Sequence, residues 1–213
     1  YTTLFRSAQA PRGFLQRAID LAHEHHFAIV QDFAYAGLGV DAQQISILSL
    51  PGAFEVAVEV CSLSKMYAMA GWRAGFIAGN DDIVSHVKQY HYQMGSMVTS
   101  SIQDAGTVAL LSDQSCVAEL AERYASRREI VAGGLHEAGL DVFDSDGGIY
   151  AWVHAPEDQT GEQFADTLLE RASVAALPGT CFGKVGKDYV RFSLLKSEDR
   201  LREAVRRVVA VLA

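Results

Sequence analysis

Three short runs that are almost entirely apolar constrain the fold of this 213-residue chain more than any other feature. They are "FAIVQ" (27–31), "VAVEVCSL" (56–63) and "AGFIAG" (74–79). Continuous apolar runs of this length are typical of strands that are buried on both faces. Helical periodicity precedes them over residues 12–26 and follows them from residue 81 to about residue 138. The sequence therefore predicts an α/β fold with a mostly parallel sheet between helices.

The last third of the chain repeats this alternation on a smaller scale. Strands are predicted at 147–155 and 189–195, and helices at 161–172 and 197–212. We therefore predict a second, smaller α/β unit. The boundary is expected within the long helical stretch, which divides the chain into residues 1–115 and 116–213.

Composition excludes several classes of partner. The formal net charge is −8, which argues against a nucleic-acid surface or an anionic membrane as the main partner. No apolar run reaches the roughly 18 residues that a membrane helix needs. Cys61, Cys116 and Cys181 are far apart and predict reduced, mostly buried thiols, which favours a cytoplasmic protein. The "HEHHF" segment (23–27) lacks metalloprotease spacing, and no metal site is predicted.

The chemistry of the chain is concentrated at the ends of the first two predicted strands. Asp32 ends the first strand and Lys65 follows the second, and ligands of open α/β sheets bind at the carboxyl ends of strands. A lysine amine reacts with an aldehyde to give an imine. Ser62, Ser64 and Arg73 are suited to bind a phosphate. Pyridoxal phosphate is an aldehyde that carries a phosphate, and Asp32 is the candidate acid for its ring nitrogen.

Four motifs then resemble the class I/II aminotransferases of fold type I. "SLSKMYAMAGWRAGF" (62–76) resembles the lysine signature of the family, and "DFAYAGL" (32–38) resembles its paired acid and phenol. "LPGTCFG" (177–183) and "YVRFSLL" (189–195) resemble motifs of its small domain. The resemblance implies the C-terminal part of a large cofactor-binding domain, followed by the small domain. Aspartate, alanine and LL-diaminopimelate aminotransferases are the most similar subgroup.

The resemblance also implies a function for each candidate residue. Lys65 holds pyridoxal 5'-phosphate as a Schiff base and then moves the proton of the substrate α-carbon. Asp32 keeps the ring nitrogen protonated, and Tyr35 hydrogen-bonds the ring oxygen. Arg191 binds the substrate α-carboxylate. The phosphate is assigned to three residues: Ser62, Ser64 and Arg73. Tyr67, two positions after the lysine, is predicted to be a packing residue.

An aminotransferase that moves an amino group between an L-amino acid and a 2-oxo acid is the leading functional hypothesis. Two alternatives stay open. A lyase of the same fold, of the carbon–sulfur type, would use the same residues and would release pyruvate and ammonia. The aminotransferase-like sensor domain of a transcription regulator would share the fold, and a winged-helix segment upstream would favour it. The identity of the amino donor is not predicted.

The motifs found in this chain correspond to those that follow the middle of the family's sequence pattern. We therefore expect the intact gene product to be roughly twice the length of these 213 residues. Active sites of the family lie at a subunit interface, so the resemblance implies a homodimer.

Overall fold

The computed structural model describes residues 9–39, 44–95 and 97–212, and these residues form two compact units. Residues 9–121 form the first unit and residues 122–212 the second. The units divide within a helix, α6 (Ser115–Arg128), whereas the sequence-based boundary lies at its start.

The first unit contains a three-stranded sheet in the order β1-β2-β3. The strands are β1 (Ile29–Asp32), β2 (Ala57–Ser62) and β3 (Gly75–Gly79), and each overlaps a predicted apolar run. β1 and β2 are parallel, while β2 and β3 are antiparallel. The described sheet is therefore mixed, and helices alternate with its strands along the chain as expected of the predicted α/β class.

The helices of the first unit are α1 (Arg12–His25), α2 (Ala53–Val56), α3 (Leu63–Met66), α4 (Asp81–Gln93), α5 (Ser100–Leu111) and the start of α6. α1 is amphipathic, and its residues Leu15 and Ile19 pack with Ile47, Leu50 and Ala53 in the main buried cluster of the unit. Burial of this stripe, rather than helix propensity alone, stabilises α1 against the sheet.

The two faces of this sheet differ in how they are covered. On one face, Gln31 and Glu59 accept hydrogen bonds from the backbone of the loop before α2, at Ile47 N (2.9 Å) and Leu48 N (3.4 Å). On the other face, the side chains of Val30 and Val60 are 63% and 41% exposed in the described chain. Asp32 and Ser62 lie on this second, open face, because side chains alternate along a strand.

The second unit contains an antiparallel sheet in the order β4-β6-β5. Its strands are β4 (Tyr150–His154), β5 (Leu177–Pro178) and β6 (Tyr189–Ser193). A π-helical turn (Glu129–Gly133) continues α6 into α7 (Gly134–Glu137), and α8 (Gly161–Ala172) and α9 (Glu198–Leu212) follow. Phe164, Leu168, Val153, Val190 and Leu201 belong to its core.

Two of the three cysteine thiols are more exposed than the sequence predicted. Cys61 is buried on β2, and its burial, with the charge of Glu59, raises its pKa to about 11. Cys116 and Cys181 are exposed, so the prediction of mostly buried thiols was wrong for these two, which lie on α6 and in a surface turn. Across residues 9–39, 44–95 and 97–212, every helix is too short or too polar to span a bilayer.

Gly79 gives a test of the antiparallel pairing of β2 with β3. Its φ is 132°, and a Cβ there would collide with the carbonyl oxygen of Ala57 on the neighbouring strand. Gly79→Ala is expected to lower the free energy of unfolding by about 2–4 kcal/mol, through backbone strain and collision together. Thermal unfolding of the full-length protein measures this loss.

Gly13→Ala is the matched control, because Gly13 lies in α1 and a Cβ there meets no atom within 4 Å. Alanine is a better helix former, so this variant is expected to gain about 0.5–1 kcal/mol. Equal unfolding midpoints for the two variants would contradict the described pairing.

Candidate active site

Parallel pairing of β1 with β2 brings two candidate residues to one edge of the sheet. Asp32 is opposite Val60, and Ser62 follows two residues later on the same face. Phe33 N donates to the carbonyl oxygen of Val60 (2.9 Å), which extends the pairing just past Asp32. The exposed carboxylate of Asp32 accepts a hydrogen bond from Ala34 N (3.2 Å) and so begins the turn that carries Tyr35.

Lys65 lies on the single-turn helix α3, which begins directly after β2. Ser62 caps this helix, because its hydroxyl oxygen accepts a hydrogen bond from Ser64 N (3.2 Å). A serine hydroxyl that accepts in this way can still donate its proton to another acceptor. Leu63 is buried and anchors the turn, whereas Lys65 is half-buried.

Lys65 and Tyr35 come together although thirty residues separate them in the sequence. The Lys65 Nζ atom lies 6.0 Å from the centroid of the Tyr35 ring. This distance is within the range of a cation–π interaction. The contact joins the turn after β1 to the turn after β2.

Arg73 occupies a strained position in the turn between α3 and β3. Its φ is 53°, a left-handed conformation that costs an ordinary side chain about 1–2 kcal/mol. The turn is tied to the site, because Leu63 N donates to the carbonyl oxygen of Ala74 (3.1 Å) and Ser62 pairs with Gly75. The guanidinium of Arg73 donates to the carbonyl oxygen of Ala70 (3.2 Å). Such a conformation in a residue other than glycine makes Arg73 a candidate functional residue.

Arg191 lies in the second unit, in the middle of β6, with 8% of its surface exposed. Its guanidinium carbon is 3.7 Å from the centroid of the Tyr150 ring and 3.9 Å from that of Phe182. Trp152 is opposite Arg191 in the β4–β6 register and contacts Phe182 edge-on, with 5.4 Å between ring centroids. These ring contacts restrict the movement of the Arg191 guanidinium, whose planar fork is suited to bind a carboxylate.

Sequence reasoning missed these aromatic residues. Tyr150 and Trp152 alternate along β4 on one face, and this period of two was a readable signal. Phe182 lies in the quoted "LPGTCFG" motif, yet nothing in its spacing points to Arg191. Tyr67 was predicted to be a packing residue, but its hydroxyl also donates to Gln114 Oε1 (2.6 Å).

The donor set of the first unit fits a phosphate-bearing aldehyde. The ends of β1 and β2 and the turns after them carry a primary amine, an exposed carboxylate, a phenol and two hydroxyls, and the turn before β3 carries a guanidinium; the residues are Lys65, Asp32, Tyr35, Ser62, Ser64 and Arg73. The described residues contain no group of three His, Cys, Asp or Glu side chains that could hold a metal ion.

Solved structures define the class of this fold. An aminotransferase from Staphylococcus aureus superposes with a TM-score of 0.91 at 34% identity, over 97% of this chain and 55% of that one. A probable N-succinyldiaminopimelate aminotransferase from Thermus thermophilus gives a TM-score of 0.90 at 30% identity, over 97% and 55%. The predicted fold is thereby confirmed: it is that of the fold type I aminotransferases.

The chain belongs to the class I and II aminotransferase family, whose sequence model matches residues 8–208. It is 42% identical over 202 residues to the L-glutamine–4-(methylsulfanyl)-2-oxobutanoate aminotransferase of Bacillus subtilis, covering 94% of this chain and 51% of that protein. It is 40% identical over 205 residues to the glutamate–pyruvate aminotransferase AlaC of Escherichia coli, covering 93% and 49%. The chain spans about half the length of the curated relatives it matches. Family membership implies pyridoxal phosphate as the cofactor.

Proposed function

We propose that this chain is part of an aminotransferase that moves an amino group between an L-amino acid and a 2-oxo acid. The observation that carries the proposal is the approach of the Lys65 amine to the Tyr35 ring, at the sheet edge where Asp32 ends β1. Membership of the class I and II aminotransferase family supports the same reaction class.

Pyridoxal phosphate, when bound, supplies a ring that accepts the electron pair left when the substrate α-carbon loses its proton. Lys65 would hold the cofactor through Nζ, and its freed amine would take and return that proton. Asp32 would keep a proton on the ring nitrogen, and the Tyr35 hydroxyl would hydrogen-bond the ring oxygen. The phosphate would be held by three residues: Ser62, Ser64 and Arg73.

Arg191 would bind the α-carboxylate of the substrate. The Tyr150 and Phe182 rings fix its guanidinium, so little freedom is lost on binding. The relatives act on substrates with different side chains, among them glutamine and LL-diaminopimelate, according to their names. Arg191 would bind the α-carboxylate, which all α-amino acids share, so it does not distinguish between these substrates.

A homodimer and a cytoplasmic location complete the proposal. The resemblance to the family supports the dimer, and the spacing of the three cysteines supports a reducing compartment. Size-exclusion chromatography with light scattering on the full-length protein tests the dimer.

Lys65→Ala tests the proposed catalytic amine. Its kcat is expected to fall by about 10²–10⁴-fold, the contribution typical of a positioned acid–base group. Lys88→Ala is the control, since Lys88 is an exposed lysine on α4 in the same unit, and its kcat should match the unsubstituted protein.

A second readout does not depend on turnover. Borohydride reduction of the cofactor-loaded, full-length protein should fix the cofactor on the peptide that contains Lys65. Recovery of the cofactor on another lysine would exclude the proposed attachment.

The reaction class is tested by adding a single L-amino acid to the loaded protein, with no oxo acid present. An aminotransferase should change its absorption spectrum stably and recover it when a 2-oxo acid is added. Release of pyruvate and ammonia would instead identify a lyase. A spectrum that shows cofactor binding but does not respond to amino acids would indicate a sensor domain.

Phe182→Ala tests the orientation of Arg191. Loss of one stacking ring is expected to raise KM for both amino acid and oxo acid roughly 3- to 30-fold, the range of a cation–π contact, with kcat little changed. Phe143→Ala is the control, because Phe143 is a 43% exposed phenylalanine of the same unit. A change in kcat alone would contradict a binding function for the Arg191 site.

A further inference from the structure

Gln114 links the turn that carries Lys65 to the helix behind it. It lies between α5 and α6, and its Oε1 accepts the hydrogen bond from the Tyr67 hydroxyl (2.6 Å). Its Nε2 lies within hydrogen-bond distance of the carbonyl oxygens of Ala109 (3.0 Å) and Leu110 (3.1 Å), in the last turn of α5. One amide therefore caps the carboxyl end of α5 and holds Tyr67 at the same time.

Gln114 adopts a strained backbone conformation. Its φ is 65°, a conformation that glycine adopts without cost and that other residues seldom adopt. Glycine could not make either set of hydrogen bonds, so these bonds offset the strain of glutamine in this conformation. Tyr67 is the donor in this bond, because the amide oxygen of Gln114 can only accept, and burial raises the pKa of the Tyr67 hydroxyl.

A second contact joins α5 to the same turn on the other side of Lys65. A Cβ at Gly106 of α5 would lie 2.9 Å from Leu63 Cδ1, so the helix and Leu63 are in close contact. Leu63 precedes Lys65 by two residues and Tyr67 follows it by two. Lys65 therefore lies between Leu63, which contacts α5, and Tyr67, which is hydrogen-bonded to Gln114 just after the end of α5.

The junction between α5 and α6 also contacts the turn that follows Asp32. Gly37 in that turn has a φ of 79°. A Cβ built on Gly37 would lie 2.6 Å from Val117 Cγ1, at the start of α6, and 3.7 Å from Met66 Cγ, so both side chains pack against this glycine. Val117 follows Gln114 by three residues, and Val117 N donates to the carbonyl oxygen of Gln114 (3.0 Å). The segment 114–117 therefore touches both turns that the candidate site combines.

We propose that Gln114 is a positioning residue: through Tyr67 it sets where the Lys65 amine lies relative to Tyr35 and Asp32. The proposal rests on the proposed function for its catalytic consequence, but its structural basis is independent of any cofactor. The α5–α6 junction acts as a common support, and Gln114 supplies the hydrogen bond that ties the lysine turn to it.

Hydrogen–deuterium exchange on the full-length protein without cofactor tests the support directly. Tyr67 N and Met69 N both donate to the carbonyl oxygen of Leu63 (3.2 and 3.3 Å), so these amides report on the lysine turn. Gln114→Ala is expected to speed exchange over residues 63–69 on the order of fivefold, the equivalent of one lost hydrogen bond. Tyr67→Phe removes only the hydroxyl and should act in the same direction.

Gln16→Ala is the matched control. Gln16 of α1 likewise joins a helix to a distant backbone carbonyl, that of Pro51 (3.3 Å), but in another part of the same unit. It should leave exchange over 63–69 unchanged. Unchanged exchange in both Gln114→Ala and Tyr67→Phe would overturn the proposal, whether or not the protein binds pyridoxal phosphate.

The cofactor-loaded protein tests the catalytic consequence. Gln114→Ala and Tyr67→Phe are each expected to lower kcat roughly tenfold with little change in KM, as a slightly misplaced reacting group does. The pH titration of the cofactor absorption, which reports the environment of the attached amine, should shift in both variants and not in Gln16→Ala.

The double variant separates positioning from general damage. Since both single variants break the same bond, the double variant should be no worse than Gln114→Ala. Additive losses with an unshifted titration would show that Gln114 affects stability alone and would refute positioning. If the unsubstituted protein neither binds the cofactor nor turns over, the proposed function fails, while the exchange result still decides on Gln114.

Discussion

The parallel pairing of β1 with β2 is the constraint on which the rest of the candidate site depends. It fixes Asp32 opposite Val60 and brings Ser62 to the same face and the same edge. The turns that follow these two strand ends can then meet, and Lys65 reaches the ring of Tyr35. A slip of one residue in this register would send Asp32 and Ser62 to opposite faces, because side chains alternate along a strand.

The turns themselves are short and strained, and their stability comes from neighbouring elements. Ala68, Arg73 and Gln114 all adopt positive φ values, of 54°, 53° and 65°. Such conformations persist when surrounding contacts hold them. The turn that carries Lys65 is contacted by Gly106 of α5, against Leu63, and by Gln114 after the end of α5, against Tyr67. The arrangement explains how a helix of one turn can hold a lysine in a defined place.

The second unit carries Arg191, the residue proposed to bind the substrate carboxylate, and it orients this residue by aromatic packing rather than by turns. Arg191 contacts the rings of Tyr150 and Phe182, so the proposed carboxylate site depends on the packing of side chains. The amine site depends on turns at the ends of strands. Each unit therefore orients its own candidate group through contacts made within that unit.

Local pattern alone indicated the α/β class and the approximate strands, and the motif resemblance nominated Lys65, Asp32, Tyr35 and Arg73 as candidate site residues. Apolar runs and motif spacing are local properties, and "SLSKMYAMAGWRAGF" carries its chemistry in consecutive residues. Tertiary structure alone decided that β3 runs antiparallel to β2, that Phe182 stacks on Arg191 and that Gln114 holds Tyr67. Gln114 follows Tyr67 by 47 residues, and nothing in the intervening sequence relates the two. Contacts at such separations arise when elements pack, so the sequence supplied the reactive groups and packing decided how they are held.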